Sequence, residues 1–244
     1  MLKCVVMREK RIVLLHGWGA GTEKLTPLLK EFEKRNWQVY LAKLPGFDFS
    51  APKYAWGVDD YSKYINEKAK RIFGNNNFFV FGHSFGGRIA IKMAIINPML
   101  LKGLILCSVG GISRGYKIVR LFFYLLAKTG KIFLIVPPLA LIWRKLLYKL
   151  AGEHDYEKSQ GVMREVFKKV VSEDLKPYVS LINIPTLILW GKLDRVTPVK
   201  DAYFINKKVN VSKIIIFNNL GHRLPYEKPE EVAKEIDKWS KSLS

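Results

Sequence analysis

The chain has 244 residues, of which 49% are hydrophobic and 25% charged. That suits one large domain, or one domain with an insertion, and excludes a disordered chain. The formal net charge is +20; from Lys68 through Gly152 there is no acidic residue, while Lys and Arg occur 14 times.

Such a field attracts anions, anionic lipid surfaces or nucleic acid. No zinc finger, RNA-binding aromatic signature or helix-turn-helix accompanies it, so specific nucleic-acid recognition is not expected. Two cysteines, Cys4 and Cys107, stand far apart in apolar contexts and read as buried free thiols, with neither a disulfide framework nor a metal set. The stretch from Met1 to Arg11 is too short and too quickly charged for a secretory signal, so a cytoplasmic protein is expected. Ile132 to Trp143 is interrupted by Pro137 and Pro138, and Leu121 to Ala127 is bounded by Arg120 and Lys128. Both fall short of the roughly 20 apolar residues of a membrane span.

In chain order, Arg11 to Leu15 is an apolar, β-branched run that predicts a strand, ending at His16-Gly17-Trp18-Gly19. Thr22 to Arg35 has helical spacing, with Leu25, Leu28, Leu29 and Phe32 on one face and Thr22 as the expected N-cap. Trp37 to Ala42 predicts a strand closed by Leu44-Pro45-Gly46, and Val58 to Phe73 a helix. Asn77 to Phe81 predicts a strand, Phe85 to Ile96 a helix closed by Asn97-Pro98, and Lys102 to Cys107 a strand. Later come a strand at Pro185 to Trp190, a helix at Val199 to Lys208, a strand at Lys213 to Phe217 and a helix at Pro229 to Lys241.

Short apolar strands without polar alternation, each followed by a helix, predict an α/β fold: a mostly parallel sheet of about six to seven strands with helices on both faces. Ile112 to about Leu181 breaks the rhythm, with helical patterns and no convincing strand. It reads as a helical cap, 112–181, inserted into a core of 1–111 and 182–244 and lying over the carboxyl ends of the strands, where ligands bind in such sheets.

Residues 82 to 87 read Gly-His-Ser-Phe-Gly-Gly, between a predicted strand and a predicted helix. Glycines on both sides let the backbone pass close to a serine whose oxygen points out of the turn. A serine alcohol needs a base, and the base an orienting acid. Of four histidines, His16 sits in the turn after the first strand, His83 adjoins the serine and cannot easily fold back onto it, and His154 lies in a polar cap loop. His222 follows a strand, on the correct face. For the acid, Cys107-Ser108-Val109-Gly110 offers no carboxylate, whereas the stretch Leu189 to Asp194, at the end of the strand Pro185 to Trp190, offers Asp194; its alternative reading is a turn or helix-capping aspartate.

The marks His16-Gly17-Trp18-Gly19, Leu44-Pro45-Gly46, Gly82-His83-Ser84-Phe85-Gly86-Gly87, Gly191-Lys192-Leu193-Asp194 and Leu220-Gly221-His222 together resemble the α/β-hydrolase superfamily, specifically its small capped serine esterases. The resemblance implies Ser84 as nucleophile, His222 as base, Asp194 as its orienter, and an oxyanion hole from the main-chain N–H groups of Trp18 and Phe85. It implies neither metal nor organic cofactor. The chain departs from the family pattern in two places: the usual N-terminal hairpin is missing or reduced to Leu2 to Met7, and Lys43 and Asp48 flank Pro45-Gly46 where members often carry Asp before and Gly after.

The expected function is cleavage of a carboxylic ester through an acyl-enzyme. Thioesterase, lactonase or carbon–carbon hydrolase activity uses the same parts, and a non-catalytic small-molecule receptor is the rival from another class. Ile112 to Gly152 mixes eight Lys or Arg with many apolar residues. That pattern fits helices packed on the core, or a cap that accepts an apolar acyl chain or rests on an anionic membrane surface.

Overall fold

The structure is a computed structural model that describes residues 10–112 and 161–243. Within them, β1 (Lys10–Leu15), β2 (Trp37–Leu41), β3 (Phe78–His83), β4 (Leu101–Cys107), β5 (Thr186–Gly191) and β6 (Ser212–Phe217) form one sheet. The strand order is β2-β1-β3-β4-β5-β6, and every pairing is parallel. Each expected strand is present, with bounds within two residues.

Alternate residues of one strand enter two different cores, because side chains alternate across a sheet. Val13, Leu15, Val80, Leu104, Ile188 and Trp190 pack on one face, against α2 (Val58–Phe73), α3 (Phe85–Ile96) and α6 (Val199–Lys208). Ile12, Leu14, Phe79, Phe81, Leu187 and Leu189 pack on the other, against α1 (Thr26–Glu33), α7 (Leu224–Glu227) and α8 (Pro229–Lys241). Burial on both faces is what removes polar alternation from β3 and β5, whose residues are all buried.

The first helix departs from its expectation. Thr22–Leu25 is a 3-10 turn, and the α-helix begins only at Thr26. Pro27 has no N–H to give and fits the first turn of a helix. Thr22 is not an N-cap; its own N–H donates to Asp48 Oδ1 at 2.7 Å.

Of the expected cap, the structure describes Ile112, α4 (Val162–Ser172), α5 (Lys176–Val179) and their flanks. The basic, apolar run from residue 113, His154, Cys4 and the segment Leu2 to Met7 lie outside the described residues. Helix α3 carries this described part. Buried Arg88 donates through Nη1 to the Val170 carbonyl at 2.6 Å and to the Glu173 carbonyl at 3.3 Å. Lys92, one turn on, meets Glu173 and Asp59 and sits 3.6 Å from the centre of the Tyr178 ring. Among the described residues no helix is long and apolar enough to cross a membrane.

Candidate active site

The site lies at the carboxyl ends of the strands. β3 runs through His83, so Ser84 is the first residue beyond it, with φ 53° and ψ −110°. A non-glycine residue there carries strain of about 1–3 kcal/mol, which the surroundings must hold. They do so by hydrogen bonds: Ser84 N–H donates to the Cys107 carbonyl at 3.0 Å, Gly87 N–H to the Ser84 carbonyl at 3.1 Å, and Gly86 N–H to the His16 carbonyl at 3.0 Å. The glycine spacing has a steric cause. A Cβ on Gly82 would run into the Gly86 carbonyl, and one on Gly86 into the Leu15 carbonyl.

Ser84 Oγ lies 3.1 Å from His222 Nε2, and His222 Nδ1 lies 2.9 Å from Asp194 Oδ2. The carboxylate accepts, so Nδ1 carries the proton; in the neutral ring Nε2 is then bare and faces the serine hydroxyl. Asp194 is also a turn aspartate: its Oδ1 accepts from Val196 N–H and Thr197 N–H, each at 2.8 Å, and its Oδ2 from the Thr197 hydroxyl at 2.7 Å. One side chain thus both closes a turn and meets the His222 ring. Burial alone would raise its pKa, but the His222 contact and the Thr197 donors outweigh it and hold the carboxyl below its usual value.

Phe85 opens α3, so its N–H has no acceptor within the helix and stands at the positive end of the helix dipole. Trp18 lies in the loop after β1; its ring packs edge-on against Phe47, Phe85 and Phe167, with centroids 4.9, 5.3 and 5.0 Å away. The site therefore has an aromatic wall to which α4 contributes. The loop holding Trp18 is tied down by Asp48, whose carboxylate accepts from Leu44 N–H at 2.7 Å, from Thr22 N–H and from His16 Nε2 at 2.9 Å. Burial raises the Asp48 pKa, and these donors more than reverse the effect.

His83 does not face Ser84. Its Nε2 lies 2.8 Å from the His222 main-chain oxygen and its Nδ1 3.0 Å from the Tyr226 hydroxyl. The parts that residue-by-residue reading missed are Asp48, Thr197 and Tyr226. Asp48 left a signal, as the sole carboxylate between Glu33 and Asp59. So did Thr197, three residues after an aspartate at a strand end. Tyr226 left none, because its partner is 143 residues away. Among the described residues, no group of three or more His, Cys, Asp or Glu is placed to hold a metal ion.

The family model described as "Alpha/beta hydrolase family" matches residues 12–235, nearly the whole sheet and its helices. The chain belongs to the alpha/beta hydrolase family. This hydrolase is 28% identical over 254 residues to the AB hydrolase superfamily protein YisY of Bacillus subtilis (strain 168), across 95% of this chain and 91% of that one. It is 26% identical over 223 residues to the pimeloyl-(acyl-carrier protein) methyl ester esterase of Legionella pneumophila (strain Paris), across 86% and 87% of the two chains. A thermophilic esterase from Thermogutta terrifontis superposes with a TM-score of 0.72 at 18% identity, across 96% of this chain and 90% of the other, a likeness of fold.

Proposed function

We propose that this hydrolase is a serine esterase that cleaves a carboxylic ester through an acyl-enzyme. The observation that carries the reading is that His222 reaches Ser84 Oγ at 3.1 Å with one ring nitrogen and Asp194 at 2.9 Å with the other. In this reading Ser84 Oγ bonds to the ester carbonyl carbon as its proton passes to His222 Nε2. Asp194 stabilises the imidazolium that forms and fixes the ring's tautomer. The N–H groups of Phe85 and Trp18 receive the negative charge on the carbonyl oxygen. The C–O bond then breaks, and the leaving alcohol takes the proton from His222. Water, deprotonated by His222, attacks the acyl-serine, and Ser84 leaves with that proton.

The wall formed by Trp18, Phe47, Phe85 and Phe167 supports an apolar acyl group on the substrate. One relative is named as an esterase of an acyl methyl ester. The reach of Phe167 in α4 to Trp18 also supports residues 112–181 as a cap over the site.

A fluorophosphonate probe tests the reading. The folded protein is expected to be labelled, and Ser84→Ala is expected to abolish labelling. A folded, unlabelled wild-type protein overturns the esterase and leaves the receptor. Rates on p-nitrophenyl esters of increasing chain length then rank the acyl groups.

A further inference from the structure

The buried His83 sits beside Ser84 in sequence, yet its contacts go elsewhere. His83 Nε2 lies 2.8 Å from the His222 carbonyl oxygen. A carbonyl only accepts, so Nε2 carries the proton. Burial, reinforced by the neighbouring His222, pushes the His83 pKa down to about 3, which keeps the ring neutral and Nδ1 bare. The bare nitrogen accepts, and its donor at 3.0 Å is the Tyr226 hydroxyl. Tyr226 stays protonated because burial pushes its pKa up to about 12. With its one proton aimed at His83, its oxygen accepts the Gly17 N–H at 3.4 Å. Every donor in the series has one acceptor, and the series runs in a single direction.

The need for such a tie follows from the topology. His222 is carried by the loop after β6, and Ser84 by the turn after β3, with β4 and β5 between them. Strands are spaced about 4.8 Å apart, so the loop must lean over two strands to bring its imidazole to the serine. Hydrogen bonds of the His222 ring fix the ring's orientation, and Leu193 N–H, just beyond β5, holds the loop's main chain at the Leu220 carbonyl at 2.9 Å; the carbonyl of His222 itself, two residues on, is held by His83.

We propose that His83 and Tyr226 are positioning residues. Through the series from Gly17 N–H to Tyr226, to His83, to the His222 carbonyl, they lock the loop of the oxyanion donor Trp18 and the loop of the base into one geometry around Ser84. The inference rests on the serine-esterase reading and extends it to two side chains that hydrogen-bond to no reacting atom.

The experiment uses the full chain with p-nitrophenyl acetate, alongside ¹⁵N-histidine NMR. Tyr226→Phe keeps the ring and removes the hydroxyl; kcat is expected to fall about 10-fold with KM within about twofold, as a geometric fault acts on chemistry and not on binding. His83→Leu is expected to fall further, by about 100-fold, and His83→Gln to regain about 10-fold of that, since its amide N–H can reach the His222 carbonyl in place of Nε2–H. Wild-type His83, assigned by its loss in His83→Gln, is expected to show a protonated Nε2 and a bare Nδ1 between about pH 5 and 8.

An active wild-type enzyme whose Tyr226→Phe variant keeps full kcat overturns the proposal and leaves the esterase standing. So does a His83 ring protonated on Nδ1, a result that needs no variant beyond the one used for assignment and no activity. A wild-type protein that neither hydrolyses the ester nor takes the fluorophosphonate label overturns both.

Discussion

Lys92 Nζ meets Glu173 Oε1 at 2.6 Å, joining the helix that follows Ser84 to the chain just beyond α4. The Lys92 side chain is 4% exposed, and its second carboxylate partner, Asp59 at 3.0 Å, is 56% exposed. Glu173→Gln therefore leaves a buried ammonium with the Tyr178 ring and a solvated carboxylate as its partners. We expect a loss of about 2 kcal/mol in urea unfolding, below the 3–5 kcal/mol typical of a fully enclosed pair. Lys92→Met combined with Glu173→Leu should recover more than half of it, because a buried apolar pair of similar volume has no charge to desolvate. A double variant as unstable as the sum of the two singles would contradict this account.

The backbone of Ser84, at φ 53°, is a conformation that glycine adopts without cost. Ser84→Gly and Ser84→Ala should both be inactive, but the glycine variant should be about 1 kcal/mol the more stable in side-by-side thermal unfolding. Equal melting temperatures would mean that the elbow holds no strain.

Asp194 accepts from His222 Nδ1 at 2.9 Å and from Thr197 N–H at 2.8 Å, which closes its own turn. Asp194→Asn should slow labelling by the fluorophosphonate by roughly 10⁴-fold, as an amide can hold the wrong imidazole tautomer. Thr197→Val removes one donor to the carboxylate and keeps the charge, so labelling should slow by only about 10-fold, with a stability cost of about 1 kcal/mol. Comparable rates for the two variants would place the orienting role elsewhere.

Asp237 accepts from Lys10 Nζ at 2.6 Å, Lys241 Nζ at 2.8 Å and Trp37 Nε1 at 2.8 Å, pinning α8 to the first two strands. Burial raises its pKa, and these three donors bring it down from 3.8 to about 2. A lowered folded-state pKa contributes stability that is complete above the unfolded value and lost as pH falls through the folded one. The stability deficit of Asp237→Asn should therefore be full at pH 7 and shrink between about pH 4 and 2, read from urea midpoints at each pH. A deficit independent of pH would show that the carboxylate's charge is not what matters.

The strands were legible because β3 and β5 are buried on both faces, which writes an unbroken apolar run into the sequence. The convergence of Ser84, Asp194 and His222 at strand ends was legible too, because topology puts every such loop on one edge of a parallel sheet. The start of α1 was not. Thr22 looks like a cap in isolation, and only Asp48, folded back from a later loop, claims its N–H. The role of His83 was equally hidden. Its neighbours in sequence say that it adjoins a serine, while its chemistry is set by Tyr226 and a carbonyl far along the chain. Short-range pattern reveals what the backbone does, and long-range polar contacts escape it unless the topology dictates them.

His222 and Ser84 are separated by 138 residues, and His222 lies beyond the last strand of the sheet. During refolding, the two can meet only once β5 and β6 have joined the sheet, late steps for contacts so remote in sequence. Recovery of turnover should then trail recovery of helical circular dichroism, making hydrolysis a clock for the final stage of assembly.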